Sequence, residues 1–142
     1  MREILFRGKR CDNGEWVQGF YVRADHHWHK NGIHKDWIAL GASANGGWFA
    51  LHNKYAVKKE SISQFTGLTD KNGKKIFEGD VVKVLQGKDK GIACVGFENG
   101  AFMLYPQTGN IYERTLWEYW YNDWEVEIIG NIHDNPELLE NS

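Results

Sequence analysis

Short runs of alternating apolar and polar residues, separated by Asn-Gly turns, recur along most of this chain. The clearest run covers residues 67–84, GLTDKNGKKIFEGDVVKV, with Asn72-Gly73 as a predicted hairpin turn and Gly79 as a predicted bend. Glycine tolerates the positive φ of a type I′ turn, and Asp80 can accept a backbone N–H at the bend. Because period-two alternation is typical of strands with one buried face, the sequence predicts a mainly β fold.

The same pattern predicts further strands on both sides of this segment. Turns at residues 12–14 and 99–100 are expected to close hairpins over residues 3–22 and 92–105. More short strands are predicted at residues 37–40, 48–51, 55–57 and 124–132, and loops at residues 25–36, 43–47 and 87–91. Strands of about six residues joined by glycine turns are typical of a small barrel or sandwich.

Two segments favour helical structure. Residues 114–122 are predicted to form a short helix, the pattern being that of a helix packed against a core. Its apolar side chains fall on one face: Leu116, Trp117, Trp120 and Tyr121. At the end of the chain, Asn135 can cap a helical turn begun by Pro136.

Turn signals become denser near residue 64, which indicates a boundary there. We predict an N-terminal β region over residues 1–64, a second β region over residues 65–132 and a C-terminal tail over residues 133–142. The chain has 142 residues, 42% hydrophobic and 14% aromatic, which suffices for one domain or for two small ones sharing a core.

Charge and composition restrict the class of protein. The net charge is −2, so the whole chain has no bulk attraction to nucleic acid or to an anionic membrane. No segment approaches the roughly 18 apolar residues that a membrane span needs, and the N-terminus lacks the apolar run of a signal peptide. Cys11 and Cys94 lie far apart, as expected of free thiols in a reducing compartment. We therefore expect a cytoplasmic protein without disulfides and without a membrane partner.

A histidine-rich segment, DHHWHKNGIH, is the one candidate metal site in the sequence. Neutral imidazoles bind Zn²⁺ or Ni²⁺, and nearby acidic residues could complete a ligand set. No Cys pair and no His-Glu-x-x-His motif accompanies them, so a polar surface loop is the favoured interpretation and no metal or cofactor is assigned. The histidines concerned are His26, His27, His29 and His34.

No catalytic residue is predicted. There is no Gly-x-Ser-x-Gly motif, and Cys94 lies in an apolar strand where a thiol usually only fills space. Cys11 adjoins Lys9 and Arg10, which could lower the pKa of its thiol, but nothing places a base beside it. Asp123 and Glu125 form a pair of carboxylates, but their solvation at a strand edge explains them without acid–base chemistry.

Nucleic-acid binding is the main alternative to a protein partner. Small β-barrels often bind single-stranded nucleic acid through exposed aromatic rings surrounded by Lys side chains. Residues 71–90 hold six Lys against three acidic residues. Against this, the aromatic segment RTLWEYWYNDWEVE is acidic, the wrong sign for a phosphate groove. Burial in the core is the favoured interpretation of the other candidate rings: Trp16, Tyr21, Trp28, Trp37 and Trp48.

Three segments together resemble one protein family. They are FTGLTDKNGKKIFEGDVV at residues 65–82, REILFR at residues 2–7 and EIIGNIHDNPELL at residues 127–139. Each is similar to the corresponding part of the YopX family, small proteins of phages and prophages. The three segments span the chain from end to end.

The resemblance implies an SH3-like β-barrel in the C-terminal half, preceded by the N-terminal β region, and it implies no enzyme activity. We therefore expect a non-catalytic phage or prophage accessory protein in the cytoplasm of a bacterial host cell. Its expected partner is another protein, with self-association as a homo-oligomer left open. A small β-barrel that binds nucleic acid is the alternative.

Overall fold

The computed structural model describes residues 3–23, 35–45 and 48–139. The chain divides into two compact units, residues 1–64 and residues 65–142. Among the described residues, both units are built from antiparallel strands, with one α-helix and two short 3₁₀ turns. The predicted mainly β fold is therefore confirmed. None of the described helices is long and apolar enough to cross a membrane.

The first unit is a meander of antiparallel strands in the order β4-β3-β2-β1, with the start of β5 beside β1. Gly14, at a φ of +73°, lies in the predicted turn between the first two strands, where the Gly14 N–H donates to the Arg10 carbonyl at 3.0 Å. The elements are β1 (Phe6–Lys9), β2 (Trp16–Arg23), β3 (Asp36–Asn45), β4 (Trp48–Ala56), a 3₁₀ turn (Lys59–Ser61) and β5 (Ser63–Thr69).

The predicted break of this sheet into short strands is wrong. Strand β3 continues through residues 43–45, where a flexible loop was expected, and β4 joins the two short strands predicted at residues 48–51 and 55–57. The register is continuous from Trp37 opposite Ala56 to Asn45 opposite Trp48. Pairing with a neighbouring strand therefore holds small residues in an extended conformation that they do not strongly favour alone.

The second unit contains a five-stranded antiparallel sheet in the order β10-β9-β8-β7-β11, while β5 pairs with β6 as a hairpin. The loop predicted at residues 87–91 consists of residues 87 and 88 alone, because Gln86 already pairs with Asp89, the first residue of β8. The elements are β6 (Lys75–Phe77), β7 (Asp80–Gln86), β8 (Asp89–Glu98), β9 (Ala101–Gly109), β10 (Arg114–Thr115), α1 (Leu116–Tyr121), β11 (Glu125–Asn131) and a 3₁₀ turn (Pro136–Leu139).

The two Asn-Gly hairpin turns of this unit differ in geometry. Asn99 and Gly100 have φ values of +51° and +81°, as a two-residue type I′ turn requires. Gly73 has a φ of +80°, but Asn72 does not have a positive φ, so the predicted type I′ turn is wrong at this position. Because the Gly73 N–H donates to the Asp70 carbonyl at 3.0 Å, the loop is a type I turn followed by a left-handed glycine.

The bend before β7 forms as predicted. Gly79 has a φ of +83°, and the Phe77 N–H donates to Asp80 Oδ2 at 2.8 Å. The C-terminal helical turn also forms at Pro136, but the Asn135 side chain accepts from the Asn131 N–H at 3.3 Å and its carbonyl accepts from Leu138. Asn135 therefore stabilises the chain reversal after β11 with its side chain, in place of the predicted side-chain cap.

The core of the second unit lies between the sheet and α1. Ile76 and Phe77 of the segment 67–84 are each 1% exposed, and Leu68 packs against this core while partly buried. The core cluster comprises Ile76, Val82, Val84, Ala93, Val95, Leu104, Ile111, Leu116, Tyr119 and Val126. The segment 67–84 therefore supplies apolar side chains to the core of this unit.

The β5–β6 turn is also bonded to the last strand. The Lys71 N–H donates to the Val126 carbonyl at 2.8 Å, and the Ile128 N–H donates to Asp70 Oδ2 at 3.1 Å. The strand pairings of the described residues nevertheless close no barrel. The SH3-like barrel thus stays a prediction.

The buried face of α1 differs from the predicted one. Leu116 and Tyr119 are 1% and 2% exposed, whereas Trp117, Trp120 and Tyr121 lie on the surface. The helix has only six residues, and the two inward positions, three residues apart, suffice to anchor it. The predicted grouping of all four apolar residues on the core face is therefore correct for Leu116 alone.

Candidate functional site

The predicted histidine site, His26, His27, His29 and His34, lies outside the described residues, as does Trp28. Within the ranges that the structure describes, no three His, Cys, Asp or Glu side chains are grouped so that they could hold a metal ion.

Neither cysteine is activated. Partial burial raises the pKa of the Cys11 thiol, and the opposing effect of Lys58 is smaller. The lowering of this pKa that Lys9 and Arg10 could have caused is therefore not found, because desolvation has the larger effect, and Arg10 bonds to Asp12 at 3.0 and 2.6 Å. Burial likewise raises the pKa of Cys94, followed by the charge of Asp80, as expected of a thiol packed in a strand.

Three of the rings considered for a nucleic-acid platform are engaged within the first unit. Trp37 is 9% exposed, and the Tyr21 hydroxyl donates to Asp36 at 2.5 Å. Trp16 is partly buried, with the Arg7 guanidinium 4.6 Å from its ring centroid. The side chain of Trp48 lies outside the described residues. Among the described side chains, Trp16, Tyr21 and Trp37 therefore present no open stacking platform.

Four exposed aromatic rings instead lie on and just before α1. Trp117, Trp120 and Tyr121 are 55%, 53% and 64% exposed, and Tyr112 is 72% exposed. We call these four residues the aromatic surface. Exposed large aromatic side chains are uncommon unless they serve an interaction, because they are the residues with most to gain from burial.

Local sequence explains why these rings point outward. Thr115 caps the helix by accepting the Glu118 N–H at 3.1 Å, which fixes the helix start at Leu116. Tyr119 then turns inward, where its hydroxyl donates to the Tyr112 carbonyl at 2.6 Å and its ring meets Trp124 edge-on at 5.0 Å. With these positions fixed, the remaining aromatic positions of the helix face away from the core.

Part of the aromatic surface is already ordered. The Trp117 and Tyr121 rings stack at 4.8 Å with an interplanar angle of 18°, one helical turn apart. Trp120 has no ring contact and no side-chain hydrogen bond with any residue in the described ranges. Its indole face and N–H therefore remain available to a partner.

A groove of about 550 Å³ borders Trp120. One part of its lining comes from the β5–β6 turn, and the other from the end of α1 and the start of β11. The lining residues are Thr69, Asp70, Lys71, Trp120, Tyr121, Asp123, Trp124 and Val126. Its volume falls in the range typical of small-ligand and peptide side-chain sites.

The charge around this groove is negative. Residues 112–127 hold five acidic side chains against one Arg. Asp123 follows the helix at a φ of +60°, and its carboxylate makes no hydrogen bond or ion pair with the residues that the structure describes. Lys71 is the cation at the groove, with Nζ 3.3 Å from Glu127 and 3.9 Å from Glu125. The groove is therefore both aromatic and acidic.

Asp70 also lines the groove, but its carboxylate is committed to the backbone. It is 5% exposed, and its Oδ1 accepts the N–H groups of Asn72 and Lys74, both at 2.9 Å. Its Oδ2 accepts the Ile128 N–H at 3.1 Å. Burial pushes the pKa of Asp70 upward, but these three N–H donors outweigh it and the net pKa is lowered. Asp70 therefore organises the turn.

Sequence reasoning found the acidic aromatic segment but assigned its rings to the core. The available signal was Thr115-x-x-Glu118, a capping-box spacing that places the first helical residue at Leu116. That start does not settle which face is buried, because Leu116 shares a helix face with both Tyr119 and Trp120.

One comparison with known proteins identifies a family, and a second identifies a similar fold. The family model described as YopX protein matches residues 5–140. The crystal structure of protein EF1440 from Enterococcus faecalis is similar, with a TM-score of 0.59 and 23% sequence identity. That similarity covers 98% of this chain and 99% of the other, and at this identity it concerns the fold. No curated protein sequence matches the chain.

Proposed function

This chain belongs to the YopX family, and from this premise we propose that it is a non-catalytic phage or prophage accessory protein that binds another protein. The binding site in this proposal is the aromatic surface together with the adjoining groove. The proposed place of action is the cytoplasm of the bacterial host cell.

The observation that carries the proposal is the exposure of four aromatic rings around one short helix. Trp and Tyr are enriched among the residues that dominate protein–protein binding energy, since each buries a large area and retains a polar group. Trp117 and Tyr121 are stacked before any partner arrives, which lowers the entropy lost on binding. A partner protein that covers these rings removes apolar area from water.

The charge of the same surface disfavours the alternative, a nucleic-acid-binding barrel. Phosphates require cations, whereas the segment carrying the rings has five acidic residues against one Arg. The Lys-rich residues 71–90 support the alternative less well, because Lys71 pairs with Glu127 and Lys75 lies over the Phe65 ring at 5.6 Å.

We further propose that residues 65–132 form an SH3-like barrel. In support, the Gly79 N–H donates to the Val95 carbonyl, and the Gly79 carbonyl accepts from the Ile132 N–H, both at 2.8 Å. Asp70 in the β5–β6 turn also accepts from the Ile128 N–H of β11. An experimental structure in which β5 and β11 pair continuously would support this proposal. A flat, open five-stranded sheet would reject it.

Capture of host proteins tests the binding function. The wild-type chain, Trp120→Ser and Phe97→Ser are each immobilised and exposed to nuclease-treated and untreated lysate of induced host cells. Phe97 is a matched control, since it is 53% exposed like Trp120 but lies at the β8–β9 hairpin. We expect the same protein bands from the wild type and Phe97→Ser, and their loss from Trp120→Ser.

Salt and nuclease distinguish the two functions. Protein binding through apolar rings should survive nuclease and an increase from about 50 to about 200 mM salt, whereas phosphate contacts weaken steeply over that range. Capture that disappears with nuclease, or that Trp120→Ser leaves unchanged, would contradict the proposed function. Capture of a second copy of this chain would identify self-association.

A further inference from the structure

We propose that the groove beside Trp120 receives an Arg or Lys side chain from an extended segment of the partner protein. This inference rests on the proposed protein-binding function and names the chemistry of the partner. The juxtaposition that carries it is an open indole face, a carboxylate with no partner in the described chain, and a negatively charged surround.

The groove offers the two contacts that a cation prefers. A guanidinium or ammonium group over an indole ring, within about 6 Å of its centroid, is attracted by the ring's π-electron face. Trp120 is 53% exposed and its ring is unoccupied in the described ranges. Asp123, which lines the same groove, supplies a carboxylate for a charge-assisted hydrogen bond.

The first unit contains the same recognition within the chain. There the Arg10 guanidinium lies 4.3 Å from the Tyr55 ring centroid, while Asp12 accepts from it at 3.0 and 2.6 Å. A ring and a carboxylate together hold that Arg at the surface. Trp120 and Asp123 likewise offer a ring and a carboxylate on one groove, and no Arg or Lys of the described chain bonds to Asp123.

Charge complementarity selects a basic segment over other partners. The cation already present, Lys71, is drawn to Glu125 and Glu127, so the acidic side of the groove binds ammonium groups. An acidic segment or a phosphate would face the Asp123 carboxylate in the groove and those of Glu125 and Glu127 beside Lys71. The groove volume of about 550 Å³ leaves room for apolar side chains that flank the cation.

Titration with matched peptides tests the inference. The probes are blocked hexapeptides that contain two Leu and two Arg, or the same peptides with Glu in place of Arg, added to the isotope-labelled full chain. The indole N–H signals are followed by NMR, with the Trp120 signal assigned from its loss in Trp120→Leu. We expect the Arg peptide to shift the Trp120 signal and the Glu peptide to leave it in place.

Variants locate the two contacts. We expect Trp120→Leu to lower the affinity for the Arg peptide about 2- to 30-fold, the range of a cation–π contact. Asp123→Asn keeps a residue suited to the positive φ and should weaken the peptide about 2- to 5-fold, the range of an exposed ion pair. Phe97→Leu should bind as the wild type does.

Several results would overturn the inference. They are equal shifts with Arg and Glu peptides, no Trp120 shift at any Arg-peptide concentration, and a shift produced instead by a short single-stranded oligonucleotide. If host-protein capture depends on Trp120 but the Arg peptide does not bind, the proposed function stands and only the basic-segment inference fails. If capture does not depend on Trp120, the proposed function itself fails.

Discussion

At the scale of single residues, the most consequential polar group is a buried carboxylate in the β5–β6 turn. Asp70 accepts three backbone N–H groups, two from its own turn and one from Ile128 in β11. A carboxylate is suited to this position because it only accepts hydrogen bonds and offers lone pairs to all three donors. Asp70 thereby connects two parts of the unit that are 58 residues apart in sequence.

We expect Asp70→Asn to lower the free energy of unfolding by about 1–3 kcal/mol. The amide keeps one acceptor oxygen but directs an NH₂ donor at a backbone N–H, so a buried donor loses its partner. Urea unfolding at neutral pH measures the change. Asp89→Asn is the control, since Asp89 is exposed and accepts from the Asn110 side chain; a loss as large as that of Asp70→Asn would contradict this account.

The lowered pKa of Asp70 also makes stability depend on pH. A carboxyl whose folded pKa lies below its unfolded value stabilises the fold above the unfolded pKa, near 4. That contribution is lost as pH falls through the folded pKa. We expect the stability difference between wild type and Asp70→Asn to narrow below about pH 4. A difference that stays constant from pH 7 to pH 3 would contradict the assignment.

Gly73 provides a second test at this scale. Its φ is +80°, and a Cβ at this position would meet nothing within 4 Å, so a substitution is strained only by its backbone. We expect Gly73→Val to cost about 1–3 kcal/mol and Lys74→Ala, on an exposed neighbour, under about 0.5 kcal/mol. Equal melting temperatures for the two variants would show that the turn is formed differently.

At the scale of elements, α1 separates the residues that anchor it on the core from the aromatic residues that it exposes. Leu116 and Tyr119 hold the helix on the core, and the cap at Thr115 sets which side chains face outward. The short helix has little stability of its own and depends on these contacts. The exposed rings are therefore held in place by two buried side chains, those of Leu116 and Tyr119.

Alanine substitutions in α1 should divide accordingly. We expect Leu116→Ala to lower the free energy of unfolding by about 2–5 kcal/mol, because Leu116 is 1% exposed. We expect Trp117→Ala to lower the free energy of unfolding by less than about 1 kcal/mol, because the contact described for Trp117 is its stack on Tyr121. Thermal or urea unfolding of both variants checks this. A larger loss of stability for Trp117→Ala than for Leu116→Ala would mean that Trp117 lies on the buried face of the helix, as the sequence pattern predicts.

The elements that sequence could predict are those specified locally. The hairpin at Asn99-Gly100 was predictable because its two positive φ values suit these residue types. The length of β3 was not, since residues 41–45 are small and are held extended by pairing with β4. The candidate site escaped prediction for a related reason: an apolar pattern cannot distinguish rings that pack on the core from rings that await a partner.

At the scale of the whole molecule, charge and exposed aromatic area indicate one kind of partner. Residues 65–132 carry ten acidic residues against seven Lys or Arg, and the exposed rings of α1 lie in their most acidic stretch. Aromatic residues surrounded by carboxylates favour a protein with basic side chains and disfavour a phosphate backbone. We therefore propose that this chain acts by binding a protein at the aromatic surface.

Position-specific photo-crosslinking in host cells tests that claim most directly. A benzophenone-bearing amino acid replaces Trp120 in one variant and Phe97 in the other, and adducts are resolved by mass after irradiation. We predict a discrete protein adduct from position 120 and none of comparable yield from position 97. Equal adducts from both positions, adducts to nucleic acid, or no adduct from position 120 while the variant stays folded would contradict the account.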